Sequence, residues 1–165
     1  MSADDGAAGA GSAAASRGDG MDAEGGRWVA TRIDRRRYYT EIRARTHTFA
    51  ADEPVAVGGG DAGATPYEYL LGALGACTAM TLRMYADRKG WPLEAVDVRL
   101  RTARSHEPDC EACETEAVGP HRIERELVLE GPLTEEQRQR LLMIADRCPV
   151  KQTLERGIRI VSAAP

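Results

Sequence analysis

The chain has 165 residues and a formal net charge of −4. This length favours one domain with a buried core, and the acidic balance does not favour a nucleic-acid partner. No run of about 18 apolar residues free of charge occurs, so no membrane-spanning helix is predicted.

The first 26 residues are small and polar, without the apolar segment of a signal peptide. We therefore expect a disordered tail over residues 1–26 and a single domain over residues 27–165. A cytoplasmic location is the expectation. Because thiols stay reduced there, the four cysteines indicate chemistry or metal binding more than a disulfide framework.

The N-terminal part of the domain favours strands. The segments RWVATRID and YYTEIRAR, separated by RRR, have the composition of a strand pair. THTFAADEPVAVGG continues as extended chain, and the glycine-rich GGGDAGATP is predicted as a loop.

A long helix follows. Thr65 and Pro66 are typical of an N-cap and a first helical position. Apolar residues at three- and four-residue spacing continue to Lys89, and Gly90 ends the helix. Polar residues are sparse before Arg83, so we expect the helix to be buried nearly all round, against a sheet or a helix from a second subunit.

The C-terminal half combines strands and helices. AVDVRLRTAR and HRIERELVLEG alternate apolar and polar residues as antiparallel strands do. A capping-box pattern at Thr134 predicts a helix to about Arg147, Pro149 begins a short helix, and IRIVS (158–162) is predicted as a last strand. This order implies an α+β fold with an antiparallel sheet.

Two cysteines stand in contrasting settings. Cys77 lies within the long apolar helix, where a lone cysteine is most often a small core residue. Cys148 lies between a helix end and Pro149, near the free N–H groups of the next helix, where a thiolate is favoured. Arg147 adjoins Cys148 and Lys151 lies one turn further on. Cys148 therefore has the setting of a reactive thiol, and such a thiol implies a partner.

The motif TPYEYLLGALGAC, followed later by ADRCPV, resembles the OsmC/Ohr superfamily of osmotically inducible and organic-hydroperoxide-resistance proteins. The resemblance covers about residues 38–162, and DEPVAVGG, the helix and the DCEAC insert are most similar to the OsmC-like redox branch. It implies an OsmC-like fold, with an antiparallel sheet wrapped around a long central helix. It also implies an intertwined homodimer with active sites at the subunit interface.

The resemblance assigns chemistry to the two cysteines. Cys77 would be the peroxidatic thiol, which becomes a sulfenic acid, and Cys148 the resolving thiol, which closes a disulfide. A dithiol reductant would reset the pair. An apolar wall of Leu70, Leu74 and Met80 fits an organic hydroperoxide better than hydrogen peroxide, although these residues are equally consistent with core packing.

The resemblance also implies a cation beside Cys77, because burial raises the pKa of a thiol. An arginine from the N-terminal strands fills this role in the family, and here Arg45 is favoured over Arg43. In the family, a glutamate just ahead of the helix holds that arginine in place. Its position is Tyr67 in this chain, and Glu68 follows one place later, roughly opposite Cys77 on a straight helix.

A second cysteine cluster lies in SHEPDCEACET. His106, Cys110 and Cys113 have a spacing that can hold zinc, with His121 or Glu114 as a fourth ligand. A reversible disulfide and an acidic loop with two free thiols are the alternatives. No cofactor is predicted, and zinc stays an open alternative.

The sequence thus predicts a cysteine-based thiol peroxidase or redox protein that reduces organic hydroperoxides. Cys77, Cys148, Arg45 and Glu68 are the predicted catalytic residues. The alternative is a non-catalytic protein that binds a small lipid-like molecule on the same scaffold, with zinc or a disulfide stabilising the loop at Cys110 and Cys113.

Overall fold

The structure, a computed structural model, describes residues 28–103 and 122–162. Its elements follow the predicted order of strands, long helix, strands and helices: β1 (Val29–Ile33), β2 (Thr40–Ala44), β3 (His47–Ala51), α1 (Pro66–Lys89), β4 (Ala95–Ala103), β5 (Arg122–Glu130), α2 (Glu135–Ala145) and α3 (Pro149–Arg156). The α+β class with antiparallel strands and a long helix is confirmed. No helix within the described ranges has the length and apolar character needed to cross a bilayer.

The chain divides into two compact units, with the boundary between Ala64 and Thr65. The N-terminal unit contains a three-stranded antiparallel sheet in the order β1-β2-β3. A tight turn at Arg45 and Thr46 joins β2 to β3, and Arg45 has a φ of 57° in the left-handed region. Arg45 is therefore a turn residue, and the expectation that it lies on a strand is wrong.

A buried carboxylate organises the glycine-rich segment after β3. Asp52 is only 3% exposed. It accepts hydrogen bonds from the backbone N–H of Glu53 (2.8 Å), Gly60 (3.1 Å) and Ala62 (3.2 Å). The bond from Glu53 is the main cause that lowers the pKa of Asp52, against the opposing effect of burial. One side chain thus satisfies three backbone donors in a loop with little regular structure.

The caps of α1 are those predicted. The Thr65 hydroxyl accepts from the Glu68 N–H (3.4 Å), and the Glu68 carboxylate accepts from the Thr65 N–H (2.7 Å), which completes a capping box. At the other end Gly90 adopts φ 64°, a conformation that glycine takes without steric cost. Its N–H donates to the carbonyl oxygens of the last turn.

Burial along α1 follows one stripe. Leu74, Thr78, Leu82 and Ala86, each four residues apart, are the buried residues of this helix. Met80 and Met84 of the same helix are instead largely exposed, at 64% and 72%. The prediction that α1 is buried nearly all round therefore does not hold for a single chain.

The main core of the C-terminal unit lies where α1 packs against α2 and the sheet of β4 and β5. Leu82 and Leu141 are fully buried there. Truncating either leucine to alanine costs about 2–5 kcal/mol in such a setting. Gly75 allows α1 to approach β4 closely, because a Cβ at this position would lie 3.2 Å from the Leu100 side chain.

The remaining elements match the sequence except at the end. β4 and β5 pair antiparallel from Ala95↔Glu130 to Ala103↔Arg122. A capping box at Thr134 starts α2, which ends at Ala145, two residues before the predicted end. The predicted strand at 158–162 is wrong: these residues form no strand. Ile160 is 88% exposed, and no described strand pairs with the segment.

The capping box predicts how Glu68 substitutions affect stability. Glu68→Ala should lower the melting temperature by a few degrees, because the Thr65 N–H loses its acceptor. Glu68→Gln should keep most of the stability at neutral pH, since Gln137 makes the same bond to the Thr134 N–H with an amide oxygen.

Acid provides a second readout of the same bond. The Thr65 N–H is the main cause that lowers the pKa of Glu68. The carboxylate therefore stabilises the fold above its unfolded-state pKa, and this contribution is lost as the pH falls through the folded-state pKa. Thermal melts from neutral to acidic pH should show this loss in the native chain and not in Glu68→Gln. Equal melting temperatures for Glu68→Ala and the native chain would contradict the assignment.

Candidate functional site

The structure brings Cys77 and Cys148 together. Cys77 lies in the middle of α1 and is half-buried, whereas Cys148 is the N-cap of α3 and is fully buried. Their thiols are within hydrogen-bonding reach of each other, and each alters the pKa of the other. The contact arises because α3 packs against α1.

The start of α3 surrounds the Cys148 sulfur with donors. Burial works to raise the pKa of Cys148, yet the Lys151 N–H, the Cys77 thiol and other donors outweigh it and lower the pKa. Pro149 at the first helical position has no N–H, so the free donors of the first turn come from Val150 and Lys151. Backbone N–H groups at the start of α3 thus stabilise a negative charge on Cys148.

Cys77 has the opposite balance. Burial is the largest cause that raises the pKa of Cys77, and the neighbouring Cys148 raises it further. The Val150 N–H opposes this rise without cancelling it. Cys148 is therefore the more acidic of the two thiols, and the first proton to leave the reduced pair comes from Cys148. The more accessible sulfur is the one that holds its proton more tightly.

Two threonines of α1 complete the surroundings of the thiols, and the sequence analysis missed both. The Thr78 hydroxyl donates to the Leu74 carbonyl oxygen at 2.8 Å and also lies within reach of the Cys148 sulfur. The Thr81 hydroxyl donates to the Cys77 carbonyl oxygen at 2.7 Å. Thr78 is fully buried. Its position one residue after Cys77, inside an apolar helix, was the available signal.

The other predicted site residues lie elsewhere along the chain: Arg43 and Arg45 belong to the N-terminal unit, and Glu68 lies at the start of α1. Arg43 lies on β2, where its guanidinium binds the Glu41 carboxylate (2.6 Å) on the same strand. Arg45 is exposed in the turn of the N-terminal unit. Glu68 lies nine residues before Cys77, about 14 Å along the axis of α1, where its carboxylate caps the helix. The roles predicted for Arg45 and Glu68 stay predictions.

A groove occurs on another face of α1. It has a volume of about 390 Å³ and is lined by small and aliphatic residues of α1 and β4: Leu71, Gly72, Gly75, Ala76, Ala79, Val96, Val98 and Leu100. At 100° per residue, Gly75 and Ala79 lie about 160° from Cys77 around the helix. The groove is therefore separate from the thiol pair.

The metal candidate is outside the described residues, since His106, Cys110, Cys113, Glu114 and His121 all fall between 104 and 121. Within residues 28–103 and 122–162, no group of three or more His, Cys, Asp or Glu side chains is arranged to hold a metal ion.

The mutual effect of the thiols predicts how single substitutions move each pKa. In a chain lacking Cys110 and Cys113, Cys148→Ala should lower the pKa of Cys77, because the neighbour that raises it is gone. Cys77→Ala should raise the pKa of Cys148, which loses a donor. Ultraviolet absorbance of the thiolate as a function of pH measures both. Unchanged titrations in both variants would show that the sulfurs do not interact.

The fold is similar to solved structures. The OsmC-like protein from Mycoplasma pneumoniae is 19% identical, with a TM-score of 0.62 over 77% of this chain and 85% of the other. The organic hydroperoxide resistance protein OsmC from Legionella pneumophila is 15% identical (TM-score 0.52, 76% and 87% covered). The organic hydroperoxide resistance protein OhrB of Bacillus subtilis is 19% identical (TM-score 0.50, 76% and 87% covered).

At these identities the structural matches establish the fold. No curated protein matches the chain in sequence. The family of OsmC-like proteins matches residues 58–162, more than half of the chain and the part that contains both Cys77 and Cys148. The chain therefore belongs to the OsmC-like protein family.

Proposed function

We propose that the chain is a thiol peroxidase that reduces organic hydroperoxides, with Cys77 as the peroxidatic and Cys148 as the resolving cysteine. The observation that carries this proposal is the contact between the two thiols at the N-terminus of α3. The names of two similar proteins, both organic hydroperoxide resistance proteins, support the substrate class. A reducing compartment such as the cytoplasm suits a pair that must return to the dithiol form.

One proton shared by the two sulfurs can serve the first half of the reaction. As the substrate arrives, Cys77 passes its proton to the Cys148 thiolate. The Cys77 thiolate attacks the O–O bond, forms a sulfenic acid and expels an alkoxide. The alkoxide takes the proton from Cys148 and leaves as an alcohol. The hydroperoxide gains two electrons, which Cys77 supplies.

The second half regenerates the pair. The Cys148 thiolate attacks the sulfur of the Cys77 sulfenic acid, which forms the disulfide and releases hydroxide, and solvent protonates the hydroxide to water. An external dithiol then exchanges with the disulfide, becomes a disulfide itself and restores both thiols. The N–H groups of Val150 and Lys151 stabilise Cys148 in each step in which it carries charge.

A cation for Cys77 is the remaining requirement. Burial raises the pKa of this thiol, and the Val150 N–H of α3 does not cancel the rise. We propose that Arg45 supplies the cation, because the Arg43 guanidinium is already bound to Glu41. Arg45 sits in a turn whose backbone conformation is fixed by the hairpin.

Turnover with cumene hydroperoxide and dithiothreitol tests the reaction. The native chain should consume the hydroperoxide, and with a higher kcat/KM than for hydrogen peroxide. Cys77→Ser should abolish consumption. Without dithiothreitol and in a chain lacking Cys110 and Cys113, Cys148→Ser should release one alcohol per chain and then stop, because no thiol is present to resolve the sulfenic acid; a dimedone-type reagent would trap it. Cys110→Ser with Cys113→Ser is the thiol control and should keep its activity.

Arginine variants in the same assay test the cation. Arg45→Met should lower kcat/KM and raise the pH at which activity appears, and Arg43→Met, a matched change on the neighbouring strand, should have the smaller effect. No turnover of any hydroperoxide by the native chain with any dithiol would contradict the enzyme and favour a binding protein on this scaffold.

We also propose that the protein acts as a homodimer that covers the exposed side of α1. Met80 and Met84 expose most of their surface, beside the small residues Gly72, Ala73 and Ala76, which are also exposed. An apolar helix face of this kind is typical of a contact with a second protein chain. Small residues at such a face let two backbones approach closely.

Sedimentation tests the dimer. The native chain should sediment as a dimer, and Met80→Glu should shift it toward the monomer, because a charge would be buried in the interface. Met143→Glu is the matched control, since Met143 is 55% exposed on α2, and it should leave the dimer intact. A native monomer at micromolar concentration would contradict the proposal.

A further inference from the structure

An arginine occupies a core-facing position of β5. Side chains of Ile123, Leu127 and Leu129 share one face of this strand, because they alternate with its outward residues. Arg125 falls on the same face, and its side chain is only 17% exposed. A charged residue rarely takes such a position without a specific partner.

The partners of Arg125 are at the end of α2. Its Nη1 donates to the Ala145 carbonyl oxygen at 3.1 Å, and its Nη2 donates to the Asp146 carboxylate at 2.9 Å. Ala145 is the last residue of α2 and Asp146 is its C-cap. α2 lacks a basic residue in its last turn and a left-handed glycine cap. Arg125, which lies on β5, provides the positive charge and the hydrogen-bond donor that those features usually provide at a helix C-terminus.

The same carbonyl connects Arg125 to the thiol site. The Cys148 N–H also donates to the Ala145 oxygen, at 3.3 Å. Three residues, from Asp146 to Cys148, separate α2 from α3. The position of the Cys148 backbone, and with it the first turn of α3, therefore depends on where the end of α2 is held.

We propose that Arg125 is a positioning residue for Cys148: its guanidinium fixes the junction of α2 and α3 so that the N–H groups of Val150 and Lys151 point at the thiol pair. The inference rests on the proposed function in one respect: that function gives the two thiols a redox role. A displacement of about 1 Å at such a site can cost about 100-fold in rate, and a guanidinium held by two acceptors limits such movement.

The chain offers a matched control at the other end of α2. Arg138 donates from Nη1 to the Leu129 carbonyl oxygen (2.6 Å) and from Nη2 to the Gly131 carbonyl oxygen (2.9 Å). Its part-buried guanidinium therefore also connects α2 to the end of β5. Arg138 lies near the start of α2, however, and away from Cys148. Loss of Arg138 should therefore affect stability and not the thiols.

The experiment compares Arg125→Lys and Arg125→Met with Arg138→Lys and Arg138→Met, in the full chain without Cys110 and Cys113. Two readouts are independent of peroxidase activity: the pH titration of the thiolate, and the rate at which diamide oxidises the two thiols to the Cys77–Cys148 disulfide while being reduced to its hydrazine. Melting temperatures are measured alongside.

Both pairs of variants should melt at lower temperature. The Arg125 variants alone should shift the thiolate titration to higher pH and slow disulfide formation by about tenfold or more. Arg125→Lys keeps the charge but replaces the planar two-nitrogen fork with a single nitrogen, so it decides the question if Arg125→Met does not fold. Arg125 variants with native titration and native disulfide rate would overturn the proposal and leave Arg125 a purely structural residue. Hydroperoxide turnover by the native chain separates that outcome from failure of the proposed function.

Discussion

The unsatisfied N–H groups at the start of α3 are the constraint on which the thiol site depends. A helix cannot bond its own first donors, and Pro149 reduces the number that need a partner. The cap residue of α3 is Cys148, and no side-chain cap bond is made there. The donors of Val150 and Lys151 are consequently available to sulfur. A serine at this cap would also offer an acceptor to these donors, but it would not provide a thiol.

Because of this constraint, the more acidic sulfur is not the more accessible one. Cys148 is fully buried and carries the favourable donors, while Cys77 is half-buried and has its pKa raised by burial. A substrate can reach the less acidic sulfur more easily. The closeness of the thiols reconciles the two properties, because a group that could take the Cys77 proton lies beside it.

The sequence predicted the fold well where local rules decide the outcome. Caps at Thr65 and Gly90, the capping box at Thr134 and the start of α3 at Pro149 follow from short-range chemistry, and the structure contains all four. The strand at 158–162 failed because a strand needs a pairing partner, which a β-rich composition does not provide. Burial around α1 failed for a similar reason, since apolar composition does not identify what covers a helix.

The site was predictable in part. Cys148 was identified from its position between two helices, and its partner from the family motif. The contributions of Thr78 and Arg125 required the structure, because they depend on packing between α1, β5 and the two C-terminal helices. Arg125 interrupts the alternation of apolar residues on β5, and such an interruption signals a buried charge without naming its partner.

Stabilising a thiolate on Cys148 also bears on how the pair would be reset in the proposed cycle. The reduced form carries the negative charge and the disulfide does not, so donors that favour the charge favour the reduced form. A structural disulfide gains nothing from such an arrangement, because its purpose is to stay closed. A pair that must be reopened in each cycle gains directly, since the same N–H groups that prepare Cys148 for attack make the later exchange with an external dithiol more favourable.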